Sequence, residues 1–144
     1  MKITICIASD HAGFNLKEEL IVFLKDQGYE ITDLGPFDDQ SVDYPVYAKK
    51  LTAELIAHPE QKGILICGTG IGMNIAANRT KGIRAALCYS EETAKLSREH
   101  NNANVLCLGA RTIDTELAKK ITSIWLSTEF SGGRHETRLK MIDD

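Results

Sequence analysis

Five short apolar runs containing β-branched residues recur along the chain, at residues 3–8, 29–34, 63–67, 83–88 and 104–108. Each reads as continuous rather than alternating in polarity, the pattern of strands covered on both faces. Amphipathic stretches with helix signals lie between them. In the first, Leu16, Leu20, Phe23 and Leu24 form one stripe, Asn15 and Glu18 are spaced as a capping box, and Gly28 is the stop. A second begins at Asp43 or Tyr44, just before Pro45, and ends at Pro59; proline is tolerated in a first helical turn. The third follows a glycine-rich loop over residues 72–78.

The fourth opens with Ser90 as N-cap and places Glu91 and Glu92 in its first turn, where the helix dipole favours negative charge. The fifth opens at Asp114 and turns Leu117, Ile121, Ile124 and Trp125 inward. Strand and helix thus alternate five times. This predicts an α/β fold, a Rossmann-like three-layer α/β/α sandwich around a five-stranded parallel sheet. No internal repeat or linker interrupts residues 1–144, so a single domain is expected. Residues 129–144 are too polar to form a core of their own and are expected to frame a site or a subunit interface. Phe14, Phe23 and Met141 are expected to serve packing.

Composition narrows the class. Hydrophobic residues make up 43% and charged residues 26% of the 144, an ordinary globular balance. No uncharged apolar run approaches the roughly 18 residues of a membrane span. The formal net charge of −3 argues against general nucleic-acid binding, yet leaves room for an anionic small molecule held by a few local arginines. Cys6, Cys67, Cys88 and Cys107 lack the close spacing of a zinc knuckle, and one large core needs no disulfide staples. The N-terminal apolar run is too short for a signal peptide. A reduced, cytoplasmic protein without a metal site is the expectation.

In open parallel sheets, ligands sit outside the carboxyl ends of the strands. Asp10 and His11 follow the first strand, Cys67-Gly68-Thr69-Gly70-Ile71-Gly72 closes the third, and Arg111 follows the fifth. His100 and Asn101 close the fourth helix. Glycines at alternate positions let backbone N–H groups converge on an anion. A dinucleotide loop would need glycine at 73 and a phosphatase loop arginine there, but the residue is Met73; a Walker loop lacks its Gly-Lys-Ser/Thr. Cys67 opens the loop, where a thiolate could act as nucleophile or general base. The other three cysteines lie within strands and read as small buried apolar residues. Arg134 and Arg138 share a face if their segment is helical, either as a solvated face or as a phosphate clamp. His58, beside Pro59, reads as surface.

Several segments taken together resemble the type B ribose-5-phosphate isomerases. They are Ser9-Asp10-His11-Ala12-Gly13-Phe14, Asp43-Tyr44-Pro45, Cys67 to Gly72 with Ala76-Ala77-Asn78, Ser97-Arg98 with His100-Asn101, Asn104-Val105-Leu106, and Gly132-Gly133-Arg134-His135 with Arg138. The broader group includes galactose 6-phosphate and allose 6-phosphate isomerases. The resemblance implies interconversion of ribose 5-phosphate and ribulose 5-phosphate through an enediolate, without cofactor or metal. It implies that Cys67 is the base between C1 and C2, and that the backbone of Gly68, Gly70, Ile71 and Gly72, with Thr69, forms the anion hole. It makes Asp10 and His100 the ring-opening pair and Asn101 a hydroxyl or enediolate contact.

His11, Arg134 and Arg138 would form the phosphate site, joined by Arg111 across a dimer interface. One branch of the family has a glutamate base where this chain has Met73, so the chain sorts with the cysteine branch. A homodimer, or a dimer of such dimers, is expected, with no nucleic-acid or membrane partner. Two alternatives stay open: a six-carbon phosphosugar substrate, and a non-catalytic module that binds a phosphometabolite.

Overall fold

The computed structural model describes residues 2–143. Its strands are β1 (Thr4–Ser9), β2 (Glu30–Asp33), β3 (Lys62–Cys67), β4 (Ala85–Leu87) and β5 (Val105–Gly109), paired in the order β2-β1-β3-β5-β4. Every pair is parallel. The helices are α1 (Phe14–Asp26), α2 (Tyr44–Ala57), α3 (Ile71–Ala77), α4 (Glu91–Glu99), α5 (Thr115–Ser127) and α6 (Arg134–Asp143). The expected α/β sandwich is thus observed, with α6 as an added C-terminal element.

The two-residue period of a strand sorts its side chains onto two cores. Ile5, Ile7, Ile64, Ile66, Leu106 and Leu108 pack with Leu20, Leu24, Ile121 and Trp125 on the side of α1 and α5. Cys6, Ala8, Leu65, Cys67, Val105 and Cys107 pack with Leu51, Leu55, Met73 and Ala77 on the side of α2 and α3. Both faces exclude water, which is why the strand sequences show apolar runs instead of alternation. Strand order reverses between β1 and β3, and a crevice opens at such a switch point, outside the carboxyl ends. Ser9 pairs with Ile66 there, which puts Asp10 beside the end of β3.

Three local expectations are corrected. The Asn15–Glu18 capping box does not form, because α1 starts at Phe14 with Gly13 as its N-cap. The carboxylate of Asp10 accepts the Gly13 N–H at 3.0 Å instead. Gly13 passes so close to β3 that a Cβ would lie 2.6 Å from the Ile66 carbonyl oxygen, and this contact fixes where the helix begins. Glu18 instead accepts from Lys17 Nζ at 2.9 Å, and the same fully buried ammonium meets both oxygens of Asp33 at 2.9 Å. Met141 is 72% exposed, because α6 turns Leu139 inward instead.

The third correction concerns β4, which is shorter than its apolar run. Around it, side-chain amides replace ladder bonds. Asn78 donates to the Ala85 carbonyl at 3.0 Å and accepts its N–H at 2.8 Å, while Asn104 accepts the Arg84 N–H at 2.7 Å. These contacts satisfy backbone groups that an edge strand would otherwise leave open. The helix stops and caps at Gly28 (φ +92°), Ser90 and Asp114 stand as expected.

Candidate active site

Cys67 is the last residue of β3, at the switch-point crevice, and is only 5% exposed. It lines an open cleft of about 480 Å³ together with Asp10, Tyr44, Gly68, Thr69, Ile71, Gly72, Ile75 and Arg111. The chain then turns sharply. Gly70 adopts φ +81°, which side chains rarely tolerate, and its N–H donates to Cys67 Sγ at 3.2 Å. Gly72 packs under the Tyr44 ring, where a Cβ would lie 2.6 Å from the nearest ring carbon.

The turn is pinned from several sides. Ile71 N–H donates to Thr69 Oγ1 at 3.2 Å, and Tyr89 Oη donates to the Thr69 carbonyl at 2.8 Å. Backbone N–H groups of Ala110 and Arg111 donate to the carbonyls of Cys67 and Gly68, both at 2.9 Å. The loop after β5 is thereby tied to the loop after β3, and the Arg111 guanidinium lies against Gly68. Two of the amides expected to face an anion are therefore spoken for inside the loop. That of Gly70 faces sulfur and that of Ile71 faces a hydroxyl.

The four thiols differ in setting. Burial pushes the Cys6 thiol up to about 12, with Glu54 adding to the effect. Burial also raises Cys88, and raises Cys107 well above the ordinary thiol range with help from Cys67 and Cys88. Because the thiolate is the reactive form, burial disfavours reaction at these three. Only Cys67 borders the cleft.

Residues 5–142 match the ribose/galactose isomerase family. The chain belongs to this family. Ribose-5-phosphate isomerase B of Escherichia coli is 44% identical over 138 residues, covering 96% of this chain and 93% of that one. A crystal structure of a ribose 5-phosphate isomerase from Thermotoga maritima superposes with a TM-score of 0.97 at 52% identity, covering 99% of each chain. The Mycoplasma genitalium ribose-5-phosphate isomerase B, solved with bound ribulose 5-phosphate, gives 0.95 at 43% identity and covers 99% of this chain and 95% of that one.

Set beside its family, the chain divides the expected site residues into two groups. Cys67, Thr69, Asp10, Arg111 and the glycine loop meet in one cleft. His11 follows Asp10 directly, exposed, with Nδ1 accepting the Val42 N–H at 3.2 Å. His100, at the end of α4, stacks instead on His135, with centroids 4.3 Å apart and planes at 16°. Partial desolvation holds His135 below the ordinary histidine value, and the charges of His100, Arg134 and Arg138 push the same way.

Arg134 and Arg138 lie exposed on α6, and among the described residues neither is paired with a carboxylate. Asn101 borders a separate cleft of about 370 Å³ with Asn78, Arg84 and Leu139. A larger groove of about 610 Å³ between α1 and α5 carries Glu18, Glu19, Asp26 and Glu116, a field that repels an anionic ligand.

Tyr44, Ile75, Tyr89 and His135 lie at or beside these residues without a role assigned from sequence. Tyr44 and His135 sit inside segments that carry the family resemblance, which is the signal that could have marked them. Ile75 and Tyr89 have none. Among the described residues no helix is long and apolar enough to cross a membrane, and no group of three or more metal-ligating side chains converges.

Proposed function

We propose that this protein interconverts ribose 5-phosphate and ribulose 5-phosphate, with Cys67 carrying the proton between C2 and C1. The observation that carries this reading is the single cleft-lining sulfur, fixed at the switch point and accepting a backbone N–H. That N–H holds the sulfur at the opening of the glycine loop. The thiolate takes the proton from C2 of the open-chain aldose, leaving an enediolate, and returns it to C1 while a proton moves from O2 to O1. Charge develops on oxygen in between, and preorganised donors facing that oxygen are typically the largest catalytic contribution. Thr69 and the Gly68 backbone N–H before it serve that role. Asp10, held by Gly13, and His100 open the sugar ring; Asn101 contacts a hydroxyl.

The phosphate needs cations, and the Cys67 cleft of one chain offers Arg111, with His11 beside it. Arg134, Arg138 and the His100–Asn101 turn would complete the site from a second copy, with α6 framing the interface. Tyr44, Ile71 and Ile75 support this arrangement. They expose apolar surface around the cleft, at 39%, 48% and 55%, as a covering subunit requires.

Initial rates with ribose 5-phosphate, allose 6-phosphate, galactose 6-phosphate and unphosphorylated ribose test the reading, with sedimentation at the assay concentration. Fastest turnover of ribose 5-phosphate by a dimer or larger species is expected, and none of free ribose, because the phosphate handle orients the reacting end. Faster turnover of a six-carbon substrate would reassign the sugar. Tight nucleotide binding without any turnover would favour the binding module, and an active monomer would contradict the shared site.

A further inference from the structure

Arg98 has no place in the chemistry above, yet it is among the most buried charged residues of the chain, at 5% exposure. A buried guanidinium is costly unless its N–H groups are satisfied. Here Nε and Nη1 are satisfied, by two backbone carbonyls and one side-chain amide oxygen. Nη1 donates to Asn102 Oδ1 at 2.9 Å and to the Ala103 carbonyl at 2.6 Å, and Nε donates to the Thr128 carbonyl at 3.1 Å. Its Cζ lies 5.8 Å from the centre of the Trp125 ring, which is fully buried.

These contacts bracket the His100–Asn101 turn. Asn102 has φ +45°, the one non-glycine residue in the left-handed region among those described, and its side chain is held by Arg98. Ala103 N–H donates back to the Ser97 carbonyl at 3.0 Å, closing the turn on α4. On the other side, Thr128 begins the stretch that runs through Ser131 to Arg134. Ser131 N–H donates to the Glu99 carbonyl at 3.0 Å, and His135 then stacks on His100.

We infer that Arg98 is a positioning residue for the isomerase site, holding the His100–Asn101 turn in register with the segment that presents Arg134, His135 and Arg138. The inference rests on the reading that those residues contact substrate. Lysine cannot substitute. Its ammonium is a point charge without the planar fork that reaches Thr128 on one side and Asn102 with Ala103 on the other.

The test compares Arg98→Lys, Asn102→Gly and His100→Ala in the full-length protein, with ribose 5-phosphate kinetics and the proton resonances of the His100 and His135 rings. Asn102→Gly keeps the left-handed backbone and deletes one Arg98 contact. Arg98→Lys is expected to lower kcat/KM at least tenfold in folded protein and to lose the ring-current shifts of the stacked imidazoles. Asn102→Gly is expected to lower kcat/KM about threefold or more, and it decides the matter should Arg98→Lys fail to fold. Wild-type kcat and KM in the folded fraction of both variants, with only a lowered Tm, would overturn the inference and leave Arg98 a structural ion. If His100→Ala is fully active, the site reading itself falls and the inference with it. If His100→Ala is impaired while the other two are not, the inference alone falls.

Discussion

Cys67→Ala is expected to lower kcat for ribose 5-phosphate by about 10²–10⁴-fold, the usual contribution of a positioned proton-transfer group. Substrate affinity by calorimetry should stay within a few-fold of wild type, because no proposed contact to the phosphate or ring hydroxyls involves the sulfur. The fold should survive as well. Cys67 ends its strand, its neighbours Leu65 and Ile66 hold β3 through fully buried packing, and alanine at 67 keeps a small apolar group in the core cluster that also contains Met73 and Ala8. Loss of activity together with loss of substrate binding would point to a structural role for the thiol. Near wild-type turnover would remove it from the mechanism.

The second large effect is expected at Gly70. A Cβ there would lie 2.5 Å from Leu87 Cδ1 and 2.9 Å from the Leu108 carbonyl carbon, at a φ of +81° that costs an ordinary residue about 1–2 kcal/mol. The leucine methyl can move, but the β5 backbone cannot without disturbing the sheet. Gly70→Ala should therefore shift the loop and pull the Gly70 N–H away from Cys67 Sγ. This bond positions the proton-transfer base, and displacing such a group typically costs about 10²-fold or more in kcat. We expect a fall of that order, with KM changed far less and Tm lowered by several degrees. Steady-state kinetics beside a thermal melt separate the two consequences. A lowered Tm with unchanged kcat would show that the amide-to-sulfur bond has no part in turnover.

The fold was legible because burial on both faces leaves a simple trace. Runs such as Ile3 to Ala8 and Asn104 to Leu108 are apolar throughout, and the caps at Ser90 and Asp114 announce themselves through side chains that can accept a backbone N–H. Where a cap depended on distant residues, local reading failed. Asn15 and Glu18 have the right spacing, but the start of α1 is set by Asp10 and by the close pass of Gly13 over Ile66, a contact between two strands' ends. Met141 failed for a similar reason, since Leu139 and Met141, two residues apart, point to opposite sides of α6 and only the packing decides which is inside.

The site was legible as chemistry and not as geometry. Cys67, Asp10, Thr69 and Arg111 follow strand ends, and parallel topology gathers strand ends. Nothing in linear order says that His100 stacks on His135, or that Arg134 and Arg138 stand apart from Cys67 within one chain. Those relations depend on where α6 packs. Arg98 enters the sequence reading only within a segment that carries the family resemblance, because a charged residue mid-helix looks solvated until its burial is seen.

Alkylation by iodoacetamide, followed site by site with mass spectrometry while activity is recorded, tests the role of the thiol most directly. Cys67 alone is expected to be modified at neutral pH, because burial keeps Cys6, Cys88 and Cys107 protonated and out of reach. Activity should fall in step with the extent of that modification, and ribose 5-phosphate should slow both equally. Enzyme fully alkylated at Cys67 that still turns over its substrate at the native rate would contradict that role.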